Sequence, residues 1–426
     1  MKIALIVPKW SPSSIWGSNV FRFPFLSLPT LAAMIPDHHD VRIIDENLQP
    51  IDYSQAYDLV GVTVMTPLAV QAYRIADRFR AQGSTVVLGG IHASVRPKEA
   101  KEHCDAVAVG ESETYFSRLI ADAEAGRLQP FYRNEGFCDM QRIPAPRKSL
   151  LSKRYFFKGT VQTTRGCPFG CEFCSVTAFF GRTYRKKAIH QVLAELEQEP
   201  SQFIFFVDDN ITGDKRFAKE LFTAIAPLKK KWLSQSSIRI ADDDELLNLA
   251  AASGCRGLFI GFESLDEANL NLMGKTMNRA SVYEDKIKKI QDKGIGIQGS
   301  FIFGYDNDTP KSFDKILRFV DRSRLDAALF SVLTPFPGTG IFTRLEQEKR
   351  ILSYDWEKYD MYTVVFQPKG MSPDTLQRHF NQANDHLYSM GSMFRRLAKW
   401  HRSMQVFIPQ NIGFRWAWKK ARKYSG

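Results

Sequence analysis

The chain has 426 residues, 44% of them hydrophobic and 24% charged, enough for two or three globular domains with ample core. No run of about 18 apolar residues occurs, and the opening run Met1-Lys2-Ile3-Ala4-Leu5-Ile6-Val7-Pro8 is too short for a signal segment, so a membrane-spanning or secreted protein is not expected and a cytoplasmic one is. Net charge is +12, unevenly placed: no Asp or Glu follows Asp385, whereas nine Lys/Arg lie between Arg395 and Lys423.

In chain order, short apolar runs first alternate with helical patterns. Strands are expected at Lys2–Pro8, Val41–Asp45, Leu59–Met65, Thr85–Gly89 and Ala106–Val109, and the clearest helix at Pro67–Ala81, where Val70, Ile75 and Phe79 share a face. This alternation predicts a doubly wound parallel sheet over residues 1–140, with ligands at the carboxyl ends of its strands. Those ends carry Thr66-Pro67, Gly89-Gly90 and Gly110-Glu111, where glycine lets backbone approach a ligand closely. The proline-rich run Arg142–Lys148 marks a linker at 141–152.

Residues 153–345 show six further βα units, with strands expected at Thr160–Thr164, Phe203–Asp208, Ser236–Ile240, Gly257–Phe262, Gly296–Phe303 and Ala327–Leu333. Six such units form a partial barrel, whose chemistry belongs at the carboxyl ends of the strands. The remainder, 346–426, reads as basic, aromatic and mainly helical, with Phe394, Trp400, Phe407, Phe414, Trp416, Trp418 and Tyr424 among the Lys/Arg. That mixture suits peripheral contact with a membrane surface, a hydrophobic or lipid-linked substrate, or a helical lid packed over the barrel mouth.

After the first barrel strand comes Gly166-Cys167-Pro168-Phe169-Gly170-Cys171-Glu172-Phe173-Cys174, a C-x3-C-x2-C spacing. Three thiolates on one tight loop can hold three corners of a [4Fe–4S] cluster and leave the fourth iron open. Structural zinc needs a fourth ligand, and the next histidine, His190, is sixteen residues away. Cys104, Cys138 and Cys255 stand alone and are expected to be small buried hydrophobes.

With these cysteines the chain resembles the radical S-adenosylmethionine (SAM) superfamily, in which the open iron binds the amino and carboxylate groups of SAM and the reduced cluster cleaves it to a 5′-deoxyadenosyl radical. Phe173 fits the aromatic that precedes the last cysteine. The run Thr160–Arg185, with Phe179-Phe180-Gly181-Arg182, looks like the cobalamin (B12)-binding branch. Leu88-Gly89-Gly90-Ile91-His92-Ala93-Ser94 and Val109-Gly110-Glu111-Ser112-Glu113 resemble its B12-binding domain.

The resemblance implies an α/β fold: a B12-binding-like doubly wound sheet, a partial (β/α)6 radical SAM barrel and a basic C-terminal region. It implies three cofactors, a [4Fe–4S] cluster on Cys167, Cys171 and Cys174, SAM and cobalamin. Asp208 and Asp209 hold the position that contacts the SAM amino group, with helix capping as the alternative. Glu263 and Ser264 are placed for the SAM ribose or carboxylate, again with a capping alternative. Arg182 and Arg185 lie where a guanidinium can pair with the SAM carboxylate or with cobalamin. Gly89, Gly90, Gly110 and Glu111 fall at the cobalamin side. The D-x-H-x-x-G signature for a lower cobalt ligand is absent, which implies cobalamin without a protein nitrogen on cobalt; His92 is the one substitute in a matching run.

The implied activity is C-methylation of an unactivated carbon, fed by a flavodoxin- or ferredoxin-type donor. Cyclisation or oxidative rearrangement is the alternative within the branch. A methylthiotransferase acting on RNA or protein would need a second cluster, yet no cysteine precedes Cys104. A cobalamin or SAM sensor is the non-enzymatic alternative, and no nucleic-acid-reading segment is evident.

Overall fold

The structure, a computed structural model, describes residues 1–18, 22–399 and 401–423. Trp400 and Tyr424 lie outside the described residues.

Six parallel strands form the first sheet: β1 (Lys2–Val7), β2 (Asp40–Asp45), β3 (Leu59–Thr63), β4 (Thr85–Gly89), β5 (Ala106–Val109) and β6 (Phe131–Arg133). Their order, β2-β1-β3-β4-β5-β6, reverses direction between β1 and β3, which opens a crevice at the carboxyl ends of those strands. The first five strands match the expected ones. The sixth was not anticipated, because Phe131-Tyr132-Arg133 is too short to carry a periodic signal and buries only Tyr132. Apolar cores cover both faces of this sheet, and one of them recruits Phe342, Trp356, Tyr359 and Val365 from beyond the barrel.

The second sheet is also wholly parallel, in the order β14-β13-β12-β11-β10-β7. It comprises β7 (Thr160–Val161), β10 (Phe203–Phe206), β11 (Lys231–Ser236), β12 (Cys255–Glu263), β13 (Gly296–Phe303) and β14 (Ala327–Val332). A two-stranded antiparallel pair, β8 (Thr164–Arg165) and β9 (Arg185–Lys186), brackets the cysteine loop. This is the expected partial barrel with one displaced strand. Ser236–Ile240 was expected as the third strand, but the strand is Lys231–Ser236, and Ile238–Asp242 is a 3-10 turn whose N-cap Ser237 accepts from the Arg239 amide.

The tail is a floor rather than a lid. Phe262 and Phe301 point outward onto Tyr283 and Phe319 of the flanking helices. Residues of opposite parity face inward, and there a Cβ on Gly296 would come within 2.2 Å of the Phe407 ring and one on Gly257 within 2.8 Å. The Met404–Arg422 helix therefore lies in the concavity at the amino ends of β12 and β13, away from the cysteine loop. Gln410 Nε2 donates to the inward Gln298 Oε1 at 2.6 Å. Phe414 packs on Trp16, which enters this core from the first domain.

Candidate active site

Two carboxylates at the end of β10 build the cysteine loop from behind. Asp208 is fully buried (0% exposed). Its oxygens accept from the amide and hydroxyl of Thr163, at 2.8 and 3.0 Å, and from the amide and hydroxyl of Thr164. Asp209 Oδ2 accepts from the Gly166 amide at 2.9 Å. Gly166 has φ +87°, and a Cβ there would sit 2.4 Å from the Thr183 carbonyl, so glycine is required just before Cys167. The expectation that Asp208 contacts SAM is thus corrected: no surface of it is free, because four donors of the neighbouring strand enclose it. Asp209, half-buried at the same turn, anchors the loop through one oxygen.

Cys167, Cys171 and Cys174 are unpaired and half-buried, and Cys174 leads into the Ser175–Phe180 helix. Burial pushes the Cys171 thiol up to about 12, partly offset by Lys275, and also raises Cys167. The three sulfurs do not converge to within 4.8 Å of one another. On a single zinc ion at ~2.3 Å they would lie roughly 3.8 Å apart. The donor set therefore fits the wider faces of a cluster better than one tetrahedral ion. Phe173 packs against the barrel core behind the loop.

Sequence reasoning missed Lys275. Its Nζ lies 2.6 Å from Glu263 Oε1 and 3.0 Å from the Gly261 carbonyl. Burial acts to lower this ammonium, but Glu263 and the sulfurs of Cys171 and Cys174 outweigh it and raise it, so a cation stands beside the thiols. Glu263 occupies left-handed space at φ +66°, a conformation costly for a non-glycine residue and characteristic of constrained functional positions. Ser264 is buried and its Oγ accepts from the Asp266 amide at 3.0 Å, the capping alternative rather than an open ligand contact. Glu172, inside the cysteine loop, takes Arg344 Nε and Nη2 at 2.8 and 3.3 Å. Arg182 is exposed and lies across Gly170.

At the first domain, several expected ligand-facing residues serve the protein's own packing. His92 is fully buried, with Nδ1 3.2 Å from Thr66 Oγ1, Nε2 3.4 Å from Glu99 Oε1 and its ring 5.2 Å from Trp356. Both nitrogens are engaged in that seat, which removes His92 as a cobalt ligand. A Cβ on Gly90 would meet Val64 N at 2.9 Å, one on Gly110 the Asn134 side chain at 2.0 Å and one on Gly89 the Ala108 Cβ at 3.3 Å. These glycines answer to close approach of the chain itself.

Glu111 instead joins the two sheets. Its carboxylate accepts from Arg165 Nη1 at 2.7 Å, from Arg185 Nη1 at 2.7 and 2.9 Å and from the Cys138 amide at 3.0 Å. Arg165 directly precedes Gly166-Cys167, so the carboxyl end of β5 grips the base of the cysteine loop. Arg185 is thereby committed to Glu111 and not to SAM. Gly338, after β14, approaches Val95 beyond β4, and Trp356 Nε1 donates to Glu99 at 2.7 Å. The carboxyl ends of the two parallel sheets thus meet. A cavity of about 720 Å³ opens between Phe137, Gln141, Arg185, His190 and Glu220, and none of the three loop cysteines lines it.

Comparison with known proteins agrees with this geometry. Residues 161–320 match the Radical SAM superfamily, 20–120 the B12 binding domain and 339–421 a domain of unknown function (DUF4070). The chain is 33% identical over 410 residues to bacteriochlorophyllide d C-12(1)-methyltransferase of Chlorobaculum tepidum, covering 93% of this chain and 89% of that one. It is 31% identical over 371 residues to the C-8(2)-methyltransferase of the same organism, covering 82% of each. Among solved structures, the radical SAM methyltransferase TsrM of Kitasatospora setae with cobalamin and [4Fe–4S] cluster bound superposes with a TM-score of 0.65 at 18% identity, over 89% of this chain and 85% of that one. The chain belongs to the radical SAM superfamily, in the branch that carries a B12-binding domain. It is an enzyme whose cofactors are a [4Fe–4S] cluster, SAM and cobalamin.

Proposed function

We propose that this enzyme methylates an unactivated carbon of a hydrophobic, ring-containing small molecule in the cytoplasm, drawing electrons from a flavodoxin- or ferredoxin-type donor. The observation that carries the reading is the meeting of the two strand-end faces through Glu111, Arg165 and Arg185, which sets the cysteine loop against the cobalamin domain. Loaded, the site supplies reductive cleavage of SAM and a cobalt-borne methyl group for the substrate carbon radical. Cys167, Cys171 and Cys174 would hold the cluster, and the crevice outside β1 and β3 would take cobalamin. Lys275 offsets the negative charge of the bound thiolates, and Asp208 and Asp209 keep their loop rigid.

The hydrophobic character of the substrate is read from the relatives, whose names give bacteriochlorophyllide d as their substrate, and from the tail. Ile408, Ile412 and Trp416 are 41, 55 and 48% exposed at i, i+4 spacing on one ridge of the last helix. Lys419, Lys420 and Arg422 follow that ridge in the final turn. An apolar ridge beside cations suits the headgroup layer of an anionic membrane, where such a substrate collects. Among the described residues no helix is long and apolar enough to cross a membrane.

Anaerobic reconstitution with iron, sulfide, cobalamin and methyl-labelled SAM tests the core of this reading. Expected are bound iron and cobalt, 5′-deoxyadenosine on reduction, and label transferred to a tetrapyrrole or polycyclic acceptor. Absence of 5′-deoxyadenosine would refute the radical mechanism. Its formation with an acceptor that changes but gains no label would point to cyclisation instead.

A further inference from the structure

At the amino ends of the first sheet, remote from the cysteine loop, His38 and His39 form the turn into β2 and face Glu124, the last residue of the Phe116–Glu124 helix. His38 Nε2 lies 3.3 Å from Glu124 Oε1, and His39 Nε2 lies 4.0 Å from Glu124 Oε2. The two imidazoles are tilted at 48° to each other with centroids 3.9 Å apart, and one ligand atom from each of the three residues falls within 4.8 Å of the others. The decisive feature is His39. Its side chain is 0% exposed, and its Nε2 has no hydrogen-bond partner; at 4.0 Å the Glu124 oxygen is out of range. A buried polar atom left unsatisfied demands an explanation.

We propose that His38, His39 and Glu124 bind a divalent transition ion of the zinc class, with water completing the coordination. Two imidazoles and one carboxylate exclude the hard cations calcium and magnesium, which take oxygen ligands. Ligand atoms on a tetrahedral zinc at ~2.0–2.1 Å lie roughly 3.4 Å apart; His38 Nε2 is already 3.3 Å from Glu124 Oε1, and the three ligand atoms, all within 4.8 Å of one another, need to close by at most about 1.4 Å. His39 Nδ1 lies 3.0 Å from the Met1 nitrogen, so Nε2 is the ring nitrogen left to face Glu124. The ion would pin the entry of β2 to the helix that follows β5, so its role is to hold the cobalamin domain together and not to take part in the reaction.

The test uses tag-free full-length protein with Cys167, Cys171 and Cys174 all replaced by Ala, so that loop thiolates cannot take zinc. Equilibrium dialysis with zinc alone should give one ion per chain and a rise in melting temperature. His39→Ala and Glu124→Gln should each weaken binding by at least about tenfold and abolish the thermal shift. Should the triple variant not fold, cluster-loaded native protein is dialysed against zinc. Native protein should then hold one zinc more per chain than the His39→Ala form. Equal zinc content with and without His39, in either background, overturns the proposal.

Discussion

Replacing Glu111 by Gln tests whether the two domains are held as one unit by a single buried carboxylate. The side chain is 2% exposed and faces two guanidinium groups at 2.7 Å, with the Cys138 thiol donating at 3.1 Å. Burial raises this carboxyl, but Arg165 and Arg185 outweigh it and hold it below the usual carboxylate range. The amide of the Glu111→Gln variant would keep one acceptor and turn an NH2 group toward the arginines, leaving Arg185 without an ion pair and Arg165 with Glu113 alone, at 2.9 Å. Breaking a buried pair in this way costs about 3–5 kcal/mol. The loss is local to the junction, so hydrogen exchange of the amides near Val109 and Cys138 is the direct assay. At about 1.4 kcal/mol per tenfold, opening of the junction should become roughly 10²–10³ times more frequent. The linker at 142–148 should gain protease sensitivity with it. The sign with pH follows from the depressed carboxyl: the clamp's contribution is complete above the unfolded value of about 4.3 and is lost as pH falls through the folded value, whereas Glu111→Gln has no such dependence. A change in exchange smaller than tenfold at neutral pH would show that the arginines find other partners and that Glu111 does not bind the domains.

Three further outcomes are expected. Gly296→Ala should destabilise the barrel by about 1–3 kcal/mol because its methyl would meet Phe407, and Phe407→Leu should recover part of that loss in thermal melts; additive effects would contradict the inward placement of the last helix. Burial pushes Asp208 up to about 7 against the donors of Thr163 and Thr164, so the folded chain keeps a proton that the unfolded chain releases near 3.9. Stability should then fall as pH rises from about 4 to about 7, and Asp208→Asn should remove that slope; parallel urea midpoints across the range would refute it. Trp416→Ser combined with Lys419→Glu and Lys420→Glu should abolish sedimentation with anionic liposomes without lowering the melting temperature, since all three positions are exposed. Binding equal to the native chain would remove the membrane reading. Truncation at Asp385 cannot serve here, because it would strip Phe407, Phe414 and Trp418 from the core.

The cysteine loop and most strands were legible because their signals are local. A C-x3-C-x2-C spacing or a run such as Ile295–Phe303 carries its meaning within ten residues. β11 was misplaced because Lys231, Ser234 and Gln235 interrupt its apolar signal, while Ile238 and Ile240 beyond it look like strand. Asp208 was located correctly but misdirected: β10 ends beside β7, and the amides of Thr163 and Thr164 claim the carboxylate. Lys275 had no signal at all. A lysine after a glycine reads as solvated, and only the bend of β12 at Glu263 brings a carboxylate to it. Glu111 was picked out for the right strand end and the wrong partner, since its arginines lie 54 and 74 residues away and nothing in the spacing announces them.

The uneven charge of the tail illustrates why composition could not separate partner from fold. Arg396 is fully buried, donates to the Leu387 carbonyl at 3.0 Å and to Asn411 Oδ1 at 2.9 Å, and is lowered by burial to about 10. Arg402 donates to the Lys293 carbonyl at 2.8 Å, and Lys399 pairs with the buried Asp326 at 3.2 Å. These cations bracket the helices onto the barrel, and the absence of acids after Asp385 reflects that their acceptors are backbone carbonyls and Asp residues of earlier segments. Among the described residues, Lys419, Lys420, Arg422 and Lys423 remain as exposed charges at the end of the last helix. Attraction of the tail to an anionic surface is therefore expected from that turn and from the ridge ending at Trp416, whose ring already carries Lys420 at 4.9 Å. A binding signal that survived their reversal would have to be assigned to another face of the protein.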